Sequence, residues 1–268
     1  MADKKVTAIT LLEMKRRGEK ISMLTAYDYC TALLMDQSEI DVLLVGDSLG
    51  MVVMGEDNTL PVTMDEMIHH TRAAARGVKR ALLVGDMPYM SYQVSPEQAA
   101  ENAGRFVKEG NAQAIKLEGG AELVPQIKAI LRCGVPVMGH LGLTPQSVHQ
   151  LGGFKVQGRT EEAAARLVEE AKMLEDAGVF SILLEAVPAE VGAKVTQELT
   201  VPTIGIGAGP GCDGQVLIFH DLVGLFERFV PKFVKKYAEL APVMRDAFQQ
   251  FREEVKSGEF PGPEHVYS

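Results

Sequence analysis

The chain has no tryptophan, only three cysteines and 6% aromatic residues among its 268. Cys30, Cys133 and Cys212 are odd in number and far apart, with no CxxC. Neither a disulfide framework nor a zinc knuckle is therefore encoded, as fits a reducing cytoplasm. No apolar run approaches about 18 residues, the length a membrane span requires. Met1-Ala2-Asp3-Lys4-Lys5 does not lead into the apolar region of a signal peptide, so the expected location is cytoplasmic. Basic residues are scattered: Lys+Arg 27 against Asp+Glu 36 gives a net charge of −9, and no basic stripe is available to neutralise phosphates. Nucleic acid and membrane are excluded as expected partners, and the acidic excess reads as solubility. Low-complexity segments, linkers and a clear internal repeat are absent too.

What is present is enough apolar sequence, 46% of residues, to bury a large core, with scattered methionines as filler. There are 26 glycines, many just after short apolar runs. Runs of strand length occur at Ile21–Ala26, Val42–Val45, Ala81–Val84, Ala112–Leu117, Val135–Met138, Ser181–Leu184, Val201–Ile206 and Gln215–Phe219. Helical spacing lies between most of them. Thr63 with Glu66 forms a capping-box pattern that opens a helix ending near Gly77. Ser95-Pro96-Glu97 opens another that stops at Gly110, and Thr160-Glu161-Glu162 a third that stops at Gly178. This alternation predicts one (β/α)8 TIM barrel with a short N-terminal helix, a doubly wound sheet being the alternative. A single domain over 1–268 is expected, with its core at about 20–230. A C-terminal helix over Val234–Val255 and a tail from Gly258 complete it. Leu49–Pro61 and Gly142–Arg159 read as long loops at the C-terminal mouth of the barrel.

Five successive strands end in ionisable residues: Asp47, then Asp86, then Lys116 with Glu118, then His140, then Glu185. A parallel barrel brings such ends to one mouth. Asp47, Asp86, Glu118 and Glu185 against Lys116 leave a formal −3 there. At roughly 4 Å and an effective dielectric near 20, each like-charged pair costs about 4 kcal/mol. Either some acids are protonated or a cation sits among them. Oxygen donors favour Mg²⁺ over zinc, with Asp47 and Asp86, the ends of two LLVGD runs, as direct ligands. Glu118 reaches the metal directly or through water. Mg²⁺ beside a lysine suits a 2-oxo acid and stabilises an enolate formed next to its carbonyl. Glu185, kept off the metal, is then the base.

Other motifs compete. Gly46-Asp47-Ser48-Leu49-Gly50 is a literal G-x-S-x-G, with Asp86 and His140 in triad order, so an esterase using Ser48 is an alternative. That motif needs a helix straight after its turn, whereas residues 51–55 read as extended or loop. Gly209–Gly214 is a literal G-x-G-x-x-G, but a β-type run follows it, so a tight loop is expected rather than a dinucleotide site. Its amides could still face an anion. Lys116 could form a Schiff base, although its place beside Glu118 suits a charged hydrogen-bond donor better. His69 and His70 read as solvated or partly packed, and His149 as a loop residue near ligand. A non-catalytic, metal-dependent oxo-acid sensor would share the same constellation without needing Glu185 free.

Longer motifs carry a resemblance. GDSLGMVVMGEDNTLPVTMDEM (46–67), DMPYMSYQ (86–93), AIKLEGG (114–120), PVMGHLGLTPQSVHQLGGFKVQGR (136–159), LLEAVPAE (183–190) and PTIGIGAGPGCDGQVLIFHD (202–221) resemble the ketopantoate hydroxymethyltransferase family, in order and over nearly the whole chain. The resemblance implies a barrel of the phosphoenolpyruvate/pyruvate type. It implies transfer of a one-carbon unit from 5,10-methylenetetrahydrofolate to 3-methyl-2-oxobutanoate (2-oxoisovalerate), giving ketopantoate for pantothenate and coenzyme A. By motif, Asp47 and Asp86 match magnesium ligands and Glu118 a third or outer acid. Ser48 and Lys116 match residues that hold the oxo acid, Glu185 the base, and His140 a residue near the product hydroxyl. A homodecamer of two stacked pentamers is also implied. The chain departs from the common pattern at Tyr89, Ala186 and His69-His70, none of them a motif residue. Folate contacts are expected only loosely, in loops 87–93 and 205–214.

Overall fold

The computed structural model describes residues 5–267. Eight parallel strands close a barrel in sequence order: β1 Ile21–Thr25, β2 Val42–Val45, β3 Leu82–Asp86, β4 Ala114–Glu118, β5 Val137–Gly142, β6 Ser181–Glu185, β7 Thr203–Ile206 and β8 Gly214–Leu217. Ile21 pairs with Gly214 to complete the ring. The expected barrel is therefore present and the doubly wound sheet is not.

The helices before the last strand are α1 Ala8–Arg17, α2 Tyr29–Gln37, α3 Leu49–Val52, α4 Met64–Ala75, α5 Pro96–Lys108, α6 Val124–Arg132, α7 Val148–Leu151, α8 Glu161–Ala177 and α9 Ala189–Glu198. Their ends follow the sequence signals. Thr63 and Glu66 form the reciprocal capping box of α4, and Ser95 accepts from the Gln98 amide ahead of Pro96 in α5. Thr160 caps α8, which Gly178 closes at φ +104°, a conformation glycine adopts without a Cβ penalty.

Side-chain alternation divides the barrel interior by height. Met23, Val42, Leu44, Leu82, Val84, Ala114, Met138, Leu183, Ile204 and Val216 form one buried cluster with Leu11 and Met14 of α1. The N-terminal helix thus plugs the lower end. Each fully buried large side chain contributes about 1.5–3 kcal/mol, so this layer supplies stability and no chemistry. Continuing each alternation upward exchanges apolar residues for ionisable ones. Leu82 and Val84 lead to Asp86, Ala114 to Lys116 and Glu118, and Met138 to His140. The two strand glycines that interrupt these runs face outward. A Cβ at Gly139 would lie 2.8 Å from Leu174 of α8, and one at Gly85 would overlap the Phe106 ring of α5.

Two local expectations are corrected and one holds. Residues 49–52 form a helical turn, α3, not an extended segment. Between β7 and β8 the expected tight loop is present, residues 207–213 without a helix; seven residues of extended chain reach roughly 23 Å, enough to return to the lower rim. The chain divides into two compact units, the first ending at Ile218 and the second beginning at Phe219. In the second, α10 spans Phe219–Leu222 and α11 spans Leu240–Ser257, several residues later than expected. Pro242 explains the shift. Its missing N–H and its clash with the carbonyl four residues back confine it to a first helical turn, leaving Phe233 and Tyr237 outside the helix.

Candidate active site

The strand register sets the arrangement at the upper mouth. Asp86 on β3 lies opposite Lys116 on β4, and Glu118 on β4 opposite His140 on β5. Asp47 follows β2, and its backbone N–H donates to Asp86 Oδ2 at 3.1 Å. Lys116 Nζ lies 2.8 Å from Asp86 Oδ1 and 3.6 Å from Glu118 Oε1. His140 Nδ1 is 3.1 Å from Glu118 Oε1 and 3.3 Å from Lys116 Nζ, while its Nε2 is 3.4 Å from Glu185 Oε2. With Nδ1–H donating to Glu118, the lysine ammonium directs its hydrogens to the carboxylates. The six predicted ionisable residues therefore form one continuous group. Ser48, the seventh site residue, sits at its edge, bonded to the Tyr27 hydroxyl at 2.8 Å.

Five of the six are almost wholly buried, whereas the Glu185 side chain is 20% exposed. Burial and the neighbouring Asp86 and Glu118 charges push the Asp47 carboxyl well above its usual range, against the pull of Lys116 and Gln146. Burial likewise raises Asp86, with Lys116 opposing and Glu118 reinforcing. Burial would raise Glu118 as well, but Lys116, His140 and hydrogen bonds hold it below the usual value. Lys116 is driven down by burial yet ends raised, because Asp86, Glu118 and Asp47 surround it. His140, opposed by burial and Lys116, is raised to about 9 by the charge and hydrogen bond of Glu118 and by the nearby Glu185 carboxylate.

The site thus takes up more positive charge than Lys116 provides. Asp86 Oδ1 is buried and, although close to Lys116, accepts no aligned hydrogen bond. Both oxygens of Glu118 are engaged, Oε1 by His140 and Lys116 and Oε2 by the Gln146 amide at 3.0 Å. Among the described residues no three His, Cys, Asp or Glu side chains are grouped so as to hold a metal ion. A two-carboxylate donor set, with other positions left to water or substrate, nevertheless suits a hard cation such as Mg²⁺.

Neutral residues in the same mouth are not marked by charge. Gln146, in a 3₁₀ turn at Pro145–Ser147, donates to Asp47 Oδ2 and to the Met87 carbonyl, each at 2.9 Å. Tyr92, fully buried, donates to Gln146 Oε1 at 2.6 Å and accepts from the Glu118 N–H at 3.1 Å. The one signal in the sequence is that both lie inside loops already marked as serving the site.

The competing motifs resolve locally. A helical turn does follow Ser48, as a nucleophile elbow requires. His140, however, donates to Glu118 and lies between Lys116 and Glu185, while Ser48 bonds a tyrosine, so the serine lacks a base. In the G-x-G-x-x-G segment, Cβ atoms at Gly209 and Gly211 would lie 2.5 and 2.7 Å from Ala189 and Ala193 of α9. Those glycines allow a close approach to a helix, and β8 begins at the third. His70 is partly packed, with Nδ1 2.7 Å from the Tyr27 carbonyl, while His69 and His149 are exposed.

The model of the family described as ketopantoate hydroxymethyltransferase matches residues 5–263. A 3-methyl-2-oxobutanoate hydroxymethyltransferase of Syntrophobacter fumaroxidans is 61% identical over 98% of this chain and 93% of its own length. One from Moorella thermoacetica is 57% identical over 98% of both chains. Solved structures similar in fold include a phosphonopyruvate hydrolase in complex with oxalate and Mg²⁺ (TM-score 0.63, 13% identity, 98% of this chain and 92% of that one). Another is 2,3-dimethylmalate lyase of the PEP mutase/isocitrate lyase superfamily (TM-score 0.60, 19% identity, 95% and 89%).

Proposed function

The chain belongs to the ketopantoate hydroxymethyltransferase family of enzymes, and from that premise we propose that it uses 5,10-methylenetetrahydrofolate as donor and an enolate of 3-methyl-2-oxobutanoate as acceptor. Water completes the reaction, which yields 2-dehydropantoate (ketopantoate) and tetrahydrofolate, a step toward pantothenate and coenzyme A. One observation carries this reading. A buried group, Asp47, Asp86 and Lys116, attracts further positive charge, while a separate, partly open carboxylate, Glu185, stands three strands away from Asp86.

Asp47 and Asp86 would hold Mg²⁺, with Glu118 supporting them from outside through Lys116 and Gln146. Bound there, the ion would draw electron density from the keto group and lower the cost of negative charge beside it. Ser48 and Lys116 hold the carboxylate side of the oxo acid. Glu185 removes the C3 proton, and the resulting carbon nucleophile attacks the one-carbon unit. His140, fixed between Glu118 and Glu185, positions the new hydroxymethyl group. The enzyme acts in the cytoplasm as a homodecamer in this reading.

The test is exchange of the C3 proton of 3-methyl-2-oxobutanoate in deuterated water without folate, followed by NMR. Exchange should require a divalent cation and fall at least about 100-fold in Glu185→Gln and in Asp86→Ala, the lower range for removing a general base. Undiminished exchange in either folded variant would show these roles to be wrong.

A further inference from the structure

Gln146 uses every hydrogen-bonding position of its side-chain amide. Nε2 donates to Asp47 Oδ2 and to the Met87 carbonyl, and Oε1 accepts from the Tyr92 hydroxyl and, at 3.2 Å, from Gln93 Nε2. Asp47 Oδ1 has no hydrogen bond among the described residues. An amide has polarity, so it can hold Asp47 in one orientation only. Turned over, its oxygen would face an Asp47 carboxyl oxygen and the Met87 carbonyl oxygen, and the carbonyl has no proton to offer. Tyr92 opposes that turn. Its hydroxyl accepts from the Glu118 N–H, and its single hydrogen has two acceptors in reach, Gln146 Oε1 at 2.6 Å and the Glu118 carbonyl at 3.1 Å, the shorter contact being the one to Gln146.

We propose that Gln146, locked by Tyr92, is a positioning residue that ties down Asp47 Oδ2 and presents Oδ1 to a divalent cation. This rests on the reading that Asp47 and Asp86 hold such a cation. Partners of this kind, which orient a ligand, typically change metal affinity 10- to 100-fold when removed. A leucine at 146 would keep the volume and the backbone N–H bond to Glu118 Oε2, losing only the amide contacts.

Mn²⁺ is the probe, with its free concentration read by electron paramagnetic resonance in wild type, Gln146→Leu, Tyr92→Phe, the double variant and Asp86→Ala. Both single variants should raise the Mn²⁺ Kd about 10- to 100-fold. Because Tyr92 acts through Gln146, the double variant should be no weaker than Gln146→Leu alone. A Kd within about twofold of wild type in Gln146→Leu would overturn the proposal, as would independent, multiplying effects in the double variant. If Gln146→Leu does not fold, Tyr92→Phe, one oxygen smaller, decides by the same thresholds. Wild type that binds no Mn²⁺, or Asp86→Ala that binds it like wild type, would overturn the cation site and this proposal together. Loss of binding in Asp86→Ala with unchanged binding in Gln146→Leu overturns the positioning role alone.

Discussion

Replacing Lys116 by methionine removes one buried charge at nearly constant shape and leaves Asp47, Asp86 and Glu118 together without their cation. At an effective dielectric near 20, the 2.8 Å contact with Asp86 contributes about 6 kcal/mol and the 3.6 Å contact with Glu118 about 5. Desolvating the ammonium offsets much of this, and removing one partner of a buried pair typically costs about 3–5 kcal/mol. A net loss of about 3–5 kcal/mol is therefore expected in metal-free protein at pH 7.5, measured by urea denaturation followed by circular dichroism. The loss also has a sign in pH. Without Lys116 the Asp47 and Asp86 pKa values rise further in the folded state, and Glu118 loses a group that holds its own down. Stability from their protonation is then full below the unfolded carboxyl range near 4 and is lost as pH rises through the folded values. The deficit should shrink at pH 5.5 and grow toward pH 8. Saturating Mg²⁺ should restore part of it at pH 7.5, where the ion supplies the missing positive charge. A folded variant with a deficit under about 1 kcal/mol, or one flat from pH 5.5 to 8, would refute the electrostatic account.

In metal-free protein, one of the six histidines should titrate near pH 9 by NMR and disappear in His140→Gln. Since that pKa is raised above the unfolded 6.5, its stabilisation is complete below about 6.5 and is lost as pH rises through 9; a spectrum in which all histidines titrate below 7.5 contradicts this. Gly85→Ala should destabilise by about 1–3 kcal/mol through overpacking against Phe106, with Phe106→Leu in the same chain recovering part of the loss; a neutral Gly85→Ala would contradict the close approach. Light scattering should give close to ten times the 29.1 kDa chain mass, and a monomer at micromolar concentration would exclude the decamer.

Much of the site was legible because charge at the end of an apolar strand is costly and therefore conspicuous. Asp47, Asp86, Lys116, Glu118, His140 and Glu185 could be picked out one strand at a time, and barrel closure then required them to meet. Gln146 and Tyr92 were not legible that way. A neutral amide and a phenol in loops look like ordinary polar and packing residues until their partners, 99 and 26 positions away, are in place. Local signals had a similar limit at α3, where a helical turn stands in place of the extended segment that the pattern predicts.

The sequence by itself determined the strand alternation, the helix caps and the identity of the charged strand ends, because each depends on neighbours within one turn or one strand. Only the tertiary structure decided how charge is shared. It placed Lys116 between Asp86 and Glu118, committed His140 to Glu118, left Glu185 partly open and gave Gln146 its two carboxylates. Those assignments depend on distances of a few ångströms between chain segments remote in sequence. In a buried, low-dielectric site such distances decide which group holds a proton and which can accept one.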